Sequence, residues 1–363
     1  MKVAIFLGHP AHFHLYKNVA NNLISDGFSV DFVIKQKDIL ETLLKDAGFN
    51  YFVIRKEERK SSSKIGMMFS TLKMEWNMIR YICKRKPDLI TGTCLSFSGW
   101  ITNKFTIVCN EDDAAVVPLF AKLSYPLASA ILNPRVCNSG KWDTKAIKYE
   151  SYQELAYLHP NHFTPDKKVV EKYFSAEKPY FIIRFAKLNA HHDSGIQGIN
   201  LEIAKNIIQK LKSHGDIYIT SERALEQELE PYRIAINLLD MHHVMAFAQL
   251  YIGDSQTMAA EAGVLGIPFI RFNDFVGRIG YLDELENDYQ LGFGIKTKDV
   301  EKLYKTVDDL IIMPDRKEIF AKRKEKMLSE KIDYAQFLTW FIENYPESKK
   351  TMKENPDYQY NFK

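Results

Sequence analysis

The sequence is poor in the features that would place it at once. It has four cysteines, Cys83, Cys94, Cys109 and Cys137, and no two of them form a CxxC pair. That excludes a zinc knuckle and a thioredoxin-like redox motif. Three of the four lie in or beside apolar runs, where a free thiol behaves as a small hydrophobe, and this usage fits a reducing compartment. No apolar run approaches the length that spans a bilayer. The N-terminal MKVAIFLGHP holds one lysine and a five-residue apolar run. That is too short for a signal peptide and reads better as a first strand, so a cytoplasmic location is expected. An excess of charge is missing too, since 49 basic and 46 acidic residues leave a formal net charge of +3. Without a basic stripe no nucleic-acid partner is expected, and the locally basic segment 55–64 reads as a solvated loop. No internal repeat is visible beyond the likeness of two α/β halves.

What is present is a globular balance over 363 residues, with 46% hydrophobic and 26% charged, enough for two cores of ordinary size. Short apolar runs alternate with helical patterns, the mark of parallel sheets with crossover helices. Strands are expected at 2–8, 29–35, 50–55, 88–93, 105–110 and 129–132. Further strands are expected at 180–186, 216–220, 233–238, 250–253, 268–272 and 292–296. Gly27 supplies a helix stop after the first helix. The helix before Pro87 carries Ile65, Phe69, Leu72, Trp76, Ile79 and Ile82 on one face. Residues 133–166, with Pro134, Gly140, Pro160 and Pro165, read as a connector. The expected fold class is α/β, with two Rossmann-like domains whose parallel sheets face a central cleft. Residues 1–150 would form the first domain and 166–332 the second. A helix at about 333–346 would pack back on the first, and 347–363 would be a frayed tail.

In open parallel sheets ligands bind beyond the carboxyl ends of the strands, so residues just after each strand are the candidates. GHPAHFH (Gly8–His14) puts three histidines in seven residues, giving either a base or phosphate contact, or a polar turn. No metal-ligand spacing accompanies them. NEDDA (Asn110–Ala114) stacks Glu111, Asp112 and Asp113. These carboxylates either complement a following helix N-terminus or leave one as a general base. RFAKLNAHHDSG (Arg184–Gly195) offers Arg184, His191 and His192 to a diphosphate, or is a surface loop. GDSQTMAAEAGVLGIP (Gly253–Pro268) is the strongest signal, because a strand ending at Gly253 leads into a helix start, a ready phosphate seat. Asp254, Ser255 and Thr257 lie at that start. Glu261, one turn later, either accepts ribose hydroxyls or faces solvent. Ser221, His242 and Arg278 complete the candidate nucleotide-sugar set.

The segment GDSQTMAAEAGVLGIPFIR resembles the nucleotide-binding segment of GT-B fold enzymes. These include the glycosyltransferase that makes lipid II and the non-hydrolysing UDP-N-acetylglucosamine 2-epimerases. Over Met1–Trp340 the chain more closely resembles an uncharacterised archaeal and bacterial family, domain of unknown function 354. The matching stretches are HPAHFH, ELAYLHP (Glu154–Pro160), RF…AHHD and the GDSQ segment. The resemblance implies a GT-B fold. It sets His12 where the lipid II enzyme has a loop histidine, and Glu261 where that enzyme binds ribose. Against the epimerases, His191 or His192 falls near their HRREN histidine and Glu111 near a catalytic glutamate. Their GTRPE motif is replaced by GHPAH, and the aspartate after the fourth strand is absent from TGTCLS (Thr91–Ser96). The implied activity is metal-independent transfer from a nucleoside-diphosphate sugar, with no other cofactor, in surface-polysaccharide or glycolipid assembly. His12 first, and Glu111 or Asp112 second, would deprotonate a saccharide or lipid-linked acceptor. The helix start, Arg184 and Arg278 would steady the departing diphosphate. Membrane contact would be at most peripheral, and a homodimer is left open. The alternatives are a 2-epimerase-like isomerase and a non-catalytic sugar-nucleotide binding protein.

Overall fold

Runs of Val, Ile, Leu and Phe too continuous for a half-exposed strand demand burial on both faces, which parallel sheets covered by helices provide. In a computed structural model these runs become parallel strands. The structure describes residues 1–36, 39–56, 64–186 and 198–363. It divides into two units, Met1–Tyr157 with Ile332–Lys363, and Leu158–Lys331.

Unit 1 runs β1 (Lys2–Leu7), α1 (Pro10–Ser25), β2 (Ser29–Lys35), α2 (Leu40–Asp46), β3 (Tyr51–Arg55), α3 (Lys64–Arg85) and β4 (Leu89–Gly92). It continues with α4 (Phe97–Ile101), β5 (Phe105–Cys109), α5 (Pro118–Ser124), β6 (Ala130–Pro134), β7 (Ala146–Tyr149) and α6 (Leu155–Leu158), which runs into unit 2. The seven strands form one parallel sheet in the order β3-β2-β1-β4-β5-β6-β7. Proline at N1 and His9 at the N-cap start α1, a position where the missing proline N–H costs nothing. Gly27, at φ 84°, lets the chain turn back. Phe13, Tyr16, Val19 and Leu23 of α1 are buried. Burying an apolar side chain such as Phe13, Val19 or Leu23 contributes about 1.5–3 kcal/mol. Gly92 has φ 130°, and a Cβ there would lie 2.3 Å from the Phe6 carbonyl oxygen. Only glycine allows β4 to lie against β1 at that point.

Unit 2 contains α7 (Lys167–Val170), β8 (Tyr180–Phe185), α8 (Leu201–Leu211), β9 (Asp216–Ser221), α9 (Met241–Ala246), β10 (Leu250–Gly253) and α10 (Gln256–Leu265). Then come β11 (Phe269–Phe272), α11 (Gly280–Asn287), β12 (Gly292–Ile295), α12 (Val300–Ile312) and α13 (Arg316–Glu330). Its parallel sheet has the order β12-β11-β10-β8-β9. The chain then rejoins unit 1 as α14 (Tyr334–Glu343) and α15 (Glu347–Glu354). Asn22 of α1 donates to Thr339 of α14 at 3.3 Å.

Four local expectations need correction. The segment 133–166 is not only a connector, because Ala146–Tyr149 adds strand β7 beside β6. Residues 233–238 form no strand. After a 3₁₀ turn at Glu230–Tyr232 a single bridge joins Arg233 to Ile219, and Arg233 is held back by a bidentate pair with Glu230. Residues 347–363 are not frayed. They form α15 and a 3₁₀ segment at Pro356–Phe362. Gln359 accepts from the Glu150 N–H at 2.6 Å, and the Phe362 carbonyl accepts from Asp333 at 2.7 Å. The expected apolar face of α3 is only partly its core face. Phe69, Leu72 and Trp76 are exposed, while Ile82 of that face packs inward together with Met78 and Tyr81 against Ala4, Val33 and Ile90. The Ile65 side chain lies outside the described residues.

Candidate functional site

The strand orders define one switch point in each sheet, where successive connections leave in opposite directions and open a crevice beyond the strand ends. In unit 2 this point lies between β8 and β10. The residues there are Arg184 to Ala186 on one side and Gly253, Asp254 and Ser255 on the other. Ser255 is the N-cap of α10, and its hydroxyl accepts from the Met258 N–H at 3.4 Å. The Gln256 and Thr257 amides then have no intrahelical acceptor, and the helix dipole adds positive potential in front of them. Small residues fit α10 to the sheet, since a Cβ on Gly263 would lie 2.8 Å from the Phe269 ring. Gly266, at φ 82°, ends the helix.

Glu261 is buried one turn into α10, at 5% exposure. Its Oε1 lies 3.0 Å from Nε2 of His242 on α9, which is also buried. With the carboxylate ionised, Nε2–H must be the donor. Phe163 and His242 meet edge to face, 6.2 Å between ring centroids. The sequence marks both His242 and Glu261 as candidates, and the structure makes them one unit. Glu261 therefore does not face solvent.

Asp254 has a backbone role that the sequence reading missed. Its Oδ1 accepts from the Ala186 N–H at 2.6 Å, and Gly198 packs so closely that a Cβ would fall 2.4 Å from Asp254 Oδ2. Asp254 thus fixes both mouths of the β8–α8 loop. Burial raises its pKa to about 6 against bonds that favour the anion. Arg223 strengthens the same closure, donating to the Ile199 carbonyl and lying 4.8 Å over the Phe185 ring. Neither contact has a motif, because both join residues brought together only by the sheet. His191 and His192 fall between these anchors and lie outside the described residues.

The other candidates are distributed differently from expectation. Arg184 is in strand β8 rather than in a loop, and it pairs with Glu222. Ser221 closes a local turn, donating to the Arg223 carbonyl at 2.8 Å and accepting from its N–H at 3.1 Å. Arg278 is exposed in the β11–α11 connection.

In unit 1 the switch point lies between β1 and β4, and it gathers Gly8, His12 and Thr93. His12 is the third residue of α1, inside the first helical turn rather than in a turn before it. Its Nδ1 accepts from the Gly8 N–H at 3.3 Å, and its Nε2 lies 3.5 Å from Thr93 Oγ1. The Gly8 bond selects the tautomer with hydrogen on Nε2. His9 is exposed and caps α1, accepting from the Ala11 N–H at 3.2 Å. His14 lies against Tyr157, 5.5 Å between ring centroids. The NEDDA carboxylates do not serve a helix N-terminus, since α5 starts only at Pro118. Glu111 accepts from the Gln153 N–H at 3.2 Å and Asp113 from the Asn138 N–H at 2.8 Å. The Asp112 carbonyl accepts from Asn110 at 2.9 Å.

Comparison with known proteins adds a family and a fold. A family model described as "Protein of unknown function (DUF354)" matches residues 1–319. No curated protein matches the chain. Among solved structures, a provisionally identified UDP-N-acetylglucosamine 2-epimerase from Listeria monocytogenes has TM-score 0.66 at 13% identity, covering 98% of this chain and 97% of that one. The spinosyn forosaminyltransferase SpnP has TM-score 0.64 at 14% identity, with 94% and 98% covered. S. aureus MnaA, solved with UDP, has TM-score 0.66 at 12% identity, with 96% and 97% covered. At such identities the likeness establishes the GT-B fold and nothing finer.

Proposed function

This chain belongs to the DUF354 family, and from the site just described we propose that it is a glycosyltransferase acting on a nucleoside-diphosphate sugar. One observation carries the reading. At the switch point of unit 2, β10 delivers the chain into the open N-terminus of α10, with the buried His242–Glu261 pair one turn behind. Open amides and a helix dipole suit a diphosphate, and a carboxylate held by His242 suits the ribose beside it. The Gln256 and Thr257 amides, helped by exposed Arg278, would steady the charge that grows on the leaving diphosphate. His12 is the acceptor-side base in this proposal. Its 3.3 Å bond from Gly8 must give way, because that bond occupies the lone pair on Nδ1. Glu111 and Asp112 are the reserve candidates. The acceptor is a saccharide or lipid-linked hydroxyl.

Sugar-nucleotide epimerisation is a second reading, favoured by the fold shared with the Listeria monocytogenes protein. It needs no acceptor. Incubation with UDP-N-acetylglucosamine alone, followed by NMR, separates the two, since accumulation of a 2-epimer would replace the transferase reading. A panel of nucleoside diphosphates in thermal melts tests the common premise. A ligand at about a hundred times its Kd stabilises the native state by about 2.7 kcal/mol. No shift with any nucleotide would overturn both readings. In a transferase, His12→Ala should retain nucleotide binding while turnover falls about 10²–10⁴-fold.

A further inference from the structure

Helix α3 has two apolar faces, and the fold of unit 1 uses only one. Met78, Tyr81 and Ile82 enter the core. On the other side Phe69, Leu72 and Trp76 are 63%, 56% and 62% exposed. Their spacing of three and four residues sets them in one row along the helix. Helix α4 packs beside α3, tied by the Ser98 N–H donating to Glu75 at 3.0 Å, and it exposes Trp100 at 59%. Single exposed apolar residues are ordinary, but an exposed row of large ones marks a contact surface.

Among the described residues, the exposed charge on α3 and α4 has one sign. Glu75 is the only acidic residue in α3 and α4, and it is buried. One and two turns beyond Trp76, the exposed side chains of Arg80 and Lys84 line an open groove of about 350 Å³ against Phe52 and Val53 of edge strand β3. Arg85, on the same groove, is engaged with Asp31 and lies 4.7 Å over the Phe52 ring. Arg80 and Lys84 have no such partners among the described residues. A second copy of the chain would not complement this face, because a two-fold contact would bring the same cations together with no exposed carboxylate on α3 or α4 to meet them.

We propose that the α3–α4 face docks on an anionic lipid surface. Phe69, Leu72, Trp76 and Trp100 enter the boundary between headgroups and acyl chains, where amphipathic indoles are favoured. Arg80 and Lys84 hold lipid phosphates at and beside the groove. Neither helix crosses the bilayer, and no helix among the described residues is long and apolar enough to do so. The inference does not rest on the transfer reading, since it uses no residue of the α10 site or the His12 site.

Co-sedimentation of the full chain with lipid vesicles tests it. Vesicles of phosphatidylcholine with about one third phosphatidylglycerol should pellet the protein, and phosphatidylcholine alone should not. The double variant R80Q/K84Q should weaken partitioning by about 25-fold, about fivefold for each cation removed from the surface. F69S/W76S should weaken it at least about tenfold. Both variants replace exposed side chains and should keep the wild-type circular dichroism and melting curve. Failure of the wild-type protein to pellet with anionic vesicles would overturn the proposal. So would equal binding by wild type and both folded variants. Self-association that F69S/W76S abolishes, without vesicle binding, would assign the face to a second copy instead.

Discussion

Replacing Asp254 by asparagine should flatten part of the pH dependence of stability. In the folded chain burial raises the Asp254 pKa to about 6, against about 3.9 for an ordinary aspartate. The unfolded chain ionises first as pH rises, so the folded state binds more protons between these two values. Stability from this group is therefore fully present below about pH 4 and is lost as pH rises through about 6. A displacement of roughly two units corresponds to about 3 kcal/mol in the limit. Over the accessible interval from about pH 4.5 to pH 7.5, the linkage relation leaves about 2 kcal/mol. The side chain is 1% exposed, so solvent screening does not remove this energy. Asparagine keeps an oxygen for the Ala186 N–H, which Asp254 now satisfies at 2.6 Å, but it cannot ionise. Urea unfolding of wild type and Asp254→Asn should be measured at several pH values across that interval. The stability difference between the two proteins should move by about 2 kcal/mol in favour of the variant as pH rises. Parallel profiles would refute the reasoning, because they would mean that Asp254 ionises as an exposed carboxylate does.

Three further outcomes follow from the geometry. Gly92→Ala should destabilise unit 1 by at least about 3 kcal/mol in denaturant melts, since φ 130° is closed to alanine and the new Cβ would meet the Phe6 carbonyl oxygen at 2.3 Å; a near-neutral result would mean that β4 lies differently. Glu261→Ala should weaken nucleotide binding about ten- to a hundredfold by calorimetry, and combining it with His242→Ala should add much less than the sum because the two act as one pair; additive losses would separate them. Deleting residues 347–363 should lower unit 1 stability by about 2 kcal/mol or more, because it strips the acceptors of the Glu150 and Asp333 amides and leaves backbone donors to find new partners; unchanged melting would restore the frayed-tail reading.

The strands of both sheets were legible because burial on two faces writes itself as a continuous apolar run. Strand β7 was hidden because it carries Lys148. That ammonium is paired inside the fold, 2.8 Å from Asn133 Oδ1 and 2.7 Å from Asp143 Oδ1, so polarity in the sequence did not mean exposure. Segment 233–238 failed in the opposite sense, since only Arg233 and Ile234 meet β9, through one bridge and one backbone hydrogen bond to Ile219. Helix α3 was found, yet periodicity could not say which of its two apolar faces the core would take. That choice is made by Ala4, Val33 and Ile90, which meet Met78 and Ile82 from distant strands.

The same limit governs the sites. Position after a strand was enough to nominate His12, Asp254 and Ser255, because the carboxyl end of a parallel sheet is fixed by chain direction alone. What each residue does there depends on strand order, which no local pattern encodes. Order β1-β4 sets Thr93 beside His12, and order β8-β10 lets Asp254 hold Ala186 across the switch point. The clearest case is Glu261. A lone acid on a helix of small apolar residues reads as a ligand contact or as a solvated side chain. Once β10 and α9 bring His242 to 3.0 Å, the solvated reading fails, because a buried carboxylate needs compensating donors. A carboxylate so held is rigid before any ligand arrives, and rigidity of that kind lowers the ordering cost of binding. The pair therefore acts on affinity by fixing Glu261, and His242→Ala should reduce binding even if the imidazole never touches the nucleotide.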